Sequence, residues 1–407
     1  MDAFKGKTIT SQTILMIIFS GSTSALTLIV YSLAARNLPV HDVAEGILIA
    51  TFAWYSTSLI DFGGSTYAVR EIMGERISLA EARYFSVLKA STLIPCLIFG
   101  LVFFHSQSGI VIRLFILTFI LLATNVLTIE FRVIGFTSAL SIISFTEKIS
   151  LLFFLFVAIL MHSSIHFVDL ILISNVLAFF VALFLSDKSN AAFKRANFRS
   201  LFIGSLGIGT SSSVTQIQIM DVNLLALKIG TMAASPYVLV TRWTNALGIF
   251  SNIFSQAIAP IVAKKELTRK EIIEIARNSY LLVLSLLICI LVAFQASNLV
   301  NIFLGKDFYN SGKIVSILAV ATIFSTIAQP LSTILQNRRN PWKVTIALFF
   351  GISIQFLFIF LFASEVGALA AAYGFLLGQF VTASLLIFFT SSLIKNFLDF
   401  LFNLVLD

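Results

Sequence analysis

The sequence predicts an all-α membrane protein with about twelve transmembrane helices in two six-helix lobes. Three observations predict it. The chain of 407 residues is 58% hydrophobic and 11% charged, where soluble domains run at about 45–50% and about 25%. Its mean hydropathy is +1.00. Its apolar residues fall in repeated runs near the ~20 residues that an α-helix needs to cross a bilayer. The 42 Phe residues suit lipid-facing surface.

The runs lie at about 12–35, 44–62, 84–104, 110–129, 138–161, 168–186, 201–226, 236–261, 280–300, 314–335, 344–363 and 367–391. The first is too long for a signal-peptide core and lacks a convincing cleavage site, so it reads as a retained helix. Residues 187–200, with Lys188, Lys194, Arg195 and Arg199, form a basic linker between lobes at 1–186 and 201–407. Six is even, so both lobes enter the membrane from the same side. Their pseudo-twofold axis then lies along the membrane normal. A weak repeat agrees: Glu81-Ala82-Arg83-Tyr84 precedes the third run, and Ile275-Ala276-Arg277, with Tyr280 after it, precedes the ninth.

Charge sets the orientation. With the N-terminus inside, only Arg36, Arg113, Lys228, Lys306 and Lys313 of the 27 Lys and Arg fall outside. Lys89, Lys148 and Arg242 fall within runs, and the rest are inside. That bias places both termini in the cytoplasm. It also accounts for the net charge of +8 without nucleic acid. The 264–279 segment has helical periodicity and is expected to lie along the inner interface. Every outer loop is too short for a domain.

The two cysteines, Cys96 and Cys289, lie in apolar runs, so neither a disulfide framework nor a metal site is expected. No P-loop or nucleophile motif is present, and the chain is not expected to be an enzyme or to hold a cofactor. The informative residues are charges at membrane depth, which cost about 2.5–3.5 kcal/mol each on insertion scales. Lys148, with Glu147 beside it, reads either as the cationic wall of a cavity or as half of an ion pair. Asp221 and Arg242 sit on consecutive runs. They either pair with each other, or Asp221 takes a proton or Na⁺ while Arg242 meets an anionic substrate. Lys89 is close enough to the inner interface to snorkel. Asp61-Phe62-Gly63-Gly64, with Arg70-Glu71, reads as a helix exit at glycine with solvated charges, and Glu130 and Arg132 read alike. His162 and His166 fall in a short loop. Pro95, Pro260 and Pro330 are positions where helices can bend, Pro95 most clearly.

Several of these features together carry a resemblance. They are the twelve runs in two sixes, Asp61-Phe62-Gly63 followed by Arg70-Glu71, and an acid in run seven followed by Gly230 and Pro236-Tyr237. Asn337-Arg338-Arg339 and Glu365-Val366-Gly367-Ala368 complete the set. The chain resembles, over nearly its whole length, the O-antigen and polysaccharide flippases of the multidrug/oligosaccharidyl-lipid/polysaccharide exporter superfamily. That resemblance implies a secondary transporter in a bacterial inner membrane with a V-shaped, often cationic cavity. Its substrate would be an undecaprenyl-diphosphate-linked oligosaccharide for lipopolysaccharide or related biosynthesis. Transport would be coupled to H⁺ or Na⁺, beside a polymerase and chain-length regulator of the same pathway. Lys148, Arg242 and Lys89 would bind substrate, Asp221 and Glu147 would be candidates for ion coupling, and Asp61, Gly63 and Arg70 would form a motif. The alternatives are a small-molecule antiporter of the same superfamily, which would favour acidic cavity residues, and a membrane polymerase or acyltransferase, which would show a large outer loop.

Overall fold

The structure is a computed structural model describing residues 9–73, 76–103, 108–133, 137–161, 165–186, 198–262, 269–305, 308, 311–337 and 341–406. The first lobe holds α1 (Ile9–Asn37), α2 (Val40–Asp61), α3 (Gly64–Met73), α4 (Leu79–Ala90), α5 (Leu93–Phe103), α6 (Ser108–Val133), α7 (Thr137–Leu160) and α8 (Phe167–Leu185). The second holds α9 (Phe198–Gln218), α10 (Asp221–Ile229), α11 (Thr231–Leu247), α12 (Ile249–Val262), α13 (Arg269–Asn278), α14 (Tyr280–Phe303), α15 (Gly312–Asn337), α16 (Pro341–Val366) and α17 (Leu369–Leu406). Among the described residues there is no strand. Most of the basic linker, 187–197, lies outside the described residues.

Nine stretches of the described chain are long and apolar enough to cross a membrane. The other three expected crossings are each two shorter helices end to end: α4 with α5, α9 with α10, and α11 with α12. The first break follows from Pro95. It has no N–H to give the carbonyl of Ser91, which accepts instead from Ile94 N at 3.2 Å. At the second, Ile219 N and Met220 N turn back to Gln216 and Ile217 at 3.1 and 3.0 Å. The third falls at Gly248.

Pro236 in α11 and Pro330 in α15 also sit inside helices that continue. Each orphans a carbonyl four residues earlier, and in each case a serine supplies the missing donor. Ser235 Oγ reaches the Met232 carbonyl at 2.8 Å. Ser251 Oγ, from α12, reaches the Thr326 carbonyl at 3.1 Å. Backbone polar groups in hydrocarbon need such partners.

The two lobes match in order. Each has a short helix, α3 or α13, between its second and third crossings. The sequence foretold α13 from its periodicity. It hid α3, because Gly63-Gly64 reads as an exit and only ten residues follow. Phe62 closes α2 in the left-handed conformation (φ 42°, ψ 49°), Gly63 continues it at φ 65°, and α3 starts at once. Tyr67, Ala68 and Glu71 are buried.

The end of the bundle that holds residue 9, α3 and α13 is the terminal end. At the far end one core spans both lobes, with Val30, Ile47 and Phe167 from the first and Leu225, Tyr237 and Val300 from the second. Toward the terminal end the clusters mostly belong to one lobe: Phe131, Ala139 and Ala182 in the first, and Ile253, Phe254 and Leu281 in the second. Tyr67, Phe85 and Leu201 are an exception, where the start of α9 leans on the first lobe. Glycines permit that approach. A Cβ on Gly209 would stand 2.5 Å from the Phe62 carbonyl oxygen.

Candidate functional site

The lobes enclose a cavity of about 630 Å³, lined by α1, α2, α7 and α8 of the first and by α9–α12, α15 and α17 of the second. Lys148, Glu147, Arg242 and Asp221 all line it. The structure thus brings together four of the residues that the sequence singled out. These charged lining residues are two bases and two acids, so acids stand beside the expected cations. Adjacent helix positions point about 100° apart, yet the long lysine stem lets Lys148 Nζ reach Glu147 Oε1 at 2.6 Å.

Arg242 and Asp221 form no ion pair with each other. Arg242 instead reaches across the lobe boundary. Its guanidinium donates to Thr51 Oγ1 and to the Ile47 carbonyl at 3.4 Å, both on α2. It lies 6.0 Å from the Tyr31 ring centre on α1. Its Nε is buried and without a partner. An Arg that lines a cavity without a carboxylate partner can serve as an anion ligand, because its planar fork matches phosphate and carboxylate oxygens.

Asp221 opens α10 at the break in the seventh crossing and is 5% exposed. One oxygen accepts from Val222 N at 2.7 Å. The other accepts from the Tyr237 hydroxyl and from Gln355 Nε2 at 2.8 Å. Gln218 Nε2 bonds Gln355 Oε1 at 3.3 Å. Helices α10, α11 and α16 therefore meet at one carboxylate, and α9 joins them through Gln355. Any cation or proton arriving there competes with these donors.

Lys89 does not line the cavity. It is 6% exposed and bonds the Asp61 carbonyl and, at 3.1 Å, Asp61 Oδ1. Asp61 also accepts from Ser65 N and Oγ. The expected solvated helix exit is thus a buried ion pair joining α2, α3 and α4. Glu130, also expected in solvent, is 4% exposed and meets Arg83 at 2.7 Å. The side chains of Arg70 and Arg132 lie outside the described residues, as does His162. His166 Nδ1 lies 2.8 Å from Asp42 Oδ1.

Sequence reasoning missed Thr51, Gln355 and Trp54, and it named Tyr237 only within a motif, without a role. Thr51 and Gln355 are uncharged polar side chains of a kind common in any crossing, and Gln355 gave a signal only as an amide inside an apolar run.

No protein-family model matches the chain, and no curated protein sequence matches it. Solved structures do match its fold. A lipid II flippase, MurJ, in an inward-closed conformation aligns with a TM-score of 0.68 at 16% identity, over 93% of this chain and 87% of that one. A multidrug-resistance MATE transporter of the MOP superfamily, inward-facing, aligns at 0.65 and 13% identity, over 94% and 98%. A MOP-superfamily transporter from Pyrococcus furiosus, described by the reverse polarity of its binding pocket, aligns at 0.58 and 14% identity, over 95% of each. The chain therefore has the two-lobed, twelve-crossing fold of the MOP-superfamily transporters.

Proposed function

We propose that the protein is a secondary transporter that carries a lipid-linked oligosaccharide across a bacterial inner membrane by alternating access. Its substrate on this reading is an undecaprenyl-diphosphate-linked repeat unit for O-antigen or a related polysaccharide, moved from the cytoplasmic to the periplasmic leaflet. The observation that carries the reading is Arg242: a cation at the lobe boundary that lines the shared cavity and bonds a hydroxyl and a carbonyl rather than a carboxylate. A diphosphate crossing hydrocarbon bare would lose its hydration at a cost of many kcal/mol. Arg242, with Lys148 opposite it, replaces part of that hydration. The lipid tail stays in the bilayer.

Asp221 is the proposed site of coupling to H⁺ or Na⁺. It ties α10 to α11 and α16 beside the break in the seventh crossing, so its occupancy would bias how that break is held. The acids in the lining also favour a second reading, a small-molecule antiporter that takes cations. Translocation into proteoliposomes separates the two. A prenyl-diphosphate-linked oligosaccharide should be moved, and a lipophilic cation should neither be moved nor compete. Transport of the cation alone would reject the first reading.

A further inference from the structure

The cavity is not uniform. Its charged groups, Lys148 with its partner Glu147, Arg242 and Asp221, lie nearer the far end, around Tyr31 and Thr51. Toward the terminal end the lining turns neutral: Thr23, Ser144, Asn252 and Gln329 supply hydroxyls and amides. Among them stands Trp54, 47% exposed. It follows Thr51 by three residues on α2, which puts both side chains on one face, about one turn apart. Thr51 is the residue that receives Arg242.

That combination has a chemical meaning. The face of an indole is the negative part of its quadrupole, and the axial C–H bonds of a pyranose present a weakly positive, apolar face that lies flat on it. The sugar's hydroxyls then need neutral donors and acceptors at the rim, which Thr, Ser, Asn and Gln provide. A cationic guest would need an unpaired acid at this level; the nearest lining acid, Glu147, stands about one turn from Ser144 on α7 and is paired with Lys148.

We propose that Trp54 is the stacking platform for the sugar attached directly to the diphosphate. With a phosphate on Arg242, the next group along the headgroup falls a helical turn closer to the terminal end, against the indole. This rests on the lipid-linked oligosaccharide reading and adds to it a residue that recognises the sugar, whatever the anion contributes.

The test compares two probes on purified protein. One is a short prenyl diphosphate bearing an N-acetylhexosamine disaccharide, and the other is the same prenyl diphosphate without sugar. The chain has three tryptophans, so Trp243→Phe with Trp342→Phe leaves Trp54 as the sole emitter. The sugar-bearing probe should shift Trp54 emission and bind about three- to tenfold tighter than the bare one, the range of an aromatic contact. Trp54→Ala should bring that ratio close to one, and Trp54→Phe should keep most of it. If Trp54→Ala discriminates as well as wild type, or if wild type binds both probes alike, the platform is refuted and the diphosphate reading stands. If wild type binds neither probe, the underlying reading fails and this one falls with it.

Discussion

Arg242 in the second lobe donates to the hydroxyl of Thr51 in the first. The contact ties the lobes at the level of the cavity, so on the proposed function the substrate ligand is also a link between the lobes. An anion that captures Arg242 must compete with Thr51, so binding loosens a contact between lobes.

Arg242→Ala should therefore weaken binding of a prenyl diphosphate by about tenfold to a hundredfold, since hydrogen bonds to charged groups are worth about 1.5–3 kcal/mol. Arg242→Lys should fall between, because it keeps the charge and loses the fork. Thr51→Val should leave binding intact or strengthen it. Equal binding by Arg242→Ala and wild type at normal expression would remove Arg242 from the substrate site.

Lys148 has a partner in Glu147, and that makes its role separable. If Lys148 contacts substrate, Lys148→Ala and the double change Lys148→Ala with Glu147→Ala should both lose most translocation, while Lys148→Arg keeps much of it. Recovery in the double variant would show a packing ion pair instead, because removing both partners leaves no unpaired buried charge.

Asp221→Asn should abolish the dependence of transport on an imposed proton or Na⁺ gradient in proteoliposomes. Tyr237→Phe should alter that dependence, since it takes one donor from the carboxylate. Unchanged gradient dependence in both variants would leave Asp221 as a junction between helices.

Gly209→Ala should destabilise the protein by about 1–3 kcal/mol, the usual cost of overpacking, because the added carbon meets Phe62 backbone that cannot rotate away. Gly21→Ala meets nothing within 4 Å and should stabilise α1 by about 0.5–1 kcal/mol. Melting in detergent should order the three proteins accordingly. A Gly209→Ala midpoint at or above wild type would refute the close approach of α9 to α2.

Labelling tests the orientation inferred from the loops. A membrane-impermeant thiol reagent added outside should reach Lys306→Cys and miss Lys194→Cys, in a background free of Cys96 and Cys289. The reverse pattern would place the termini outside and invert the direction of transport.

The crossings were legible because length and hydropathy are local properties, and every expected run contains helix in the structure. The charges at depth were legible too, because so few exist. Their partners were not. Lys89 reads as a snorkelling cation until α2 and α4 come together and Asp61 appears at 3.1 Å. Asp221 reads either as a mate for Arg242 or as an ion site, and neither reading names Tyr237 and Gln355 as the groups that hold it; Gln355 is 134 residues away in sequence. Helix breaks were half legible. Pro95 announced one, whereas the break at Ile219–Met220 carries neither proline nor glycine.

That second break has a mechanical consequence. The lower part of α9 is clasped by the first lobe, through Gly209 on Phe62 and Leu201 beside Tyr67. Above the break, α10 is bound to α11 and α16 through Asp221. If the lobes rock as the proposed function requires, the turn at Ile219 and Met220, rather than the basic linker, is where the second lobe would part from the foot of α9, a strut encoded with one lobe and resting at its foot on the other.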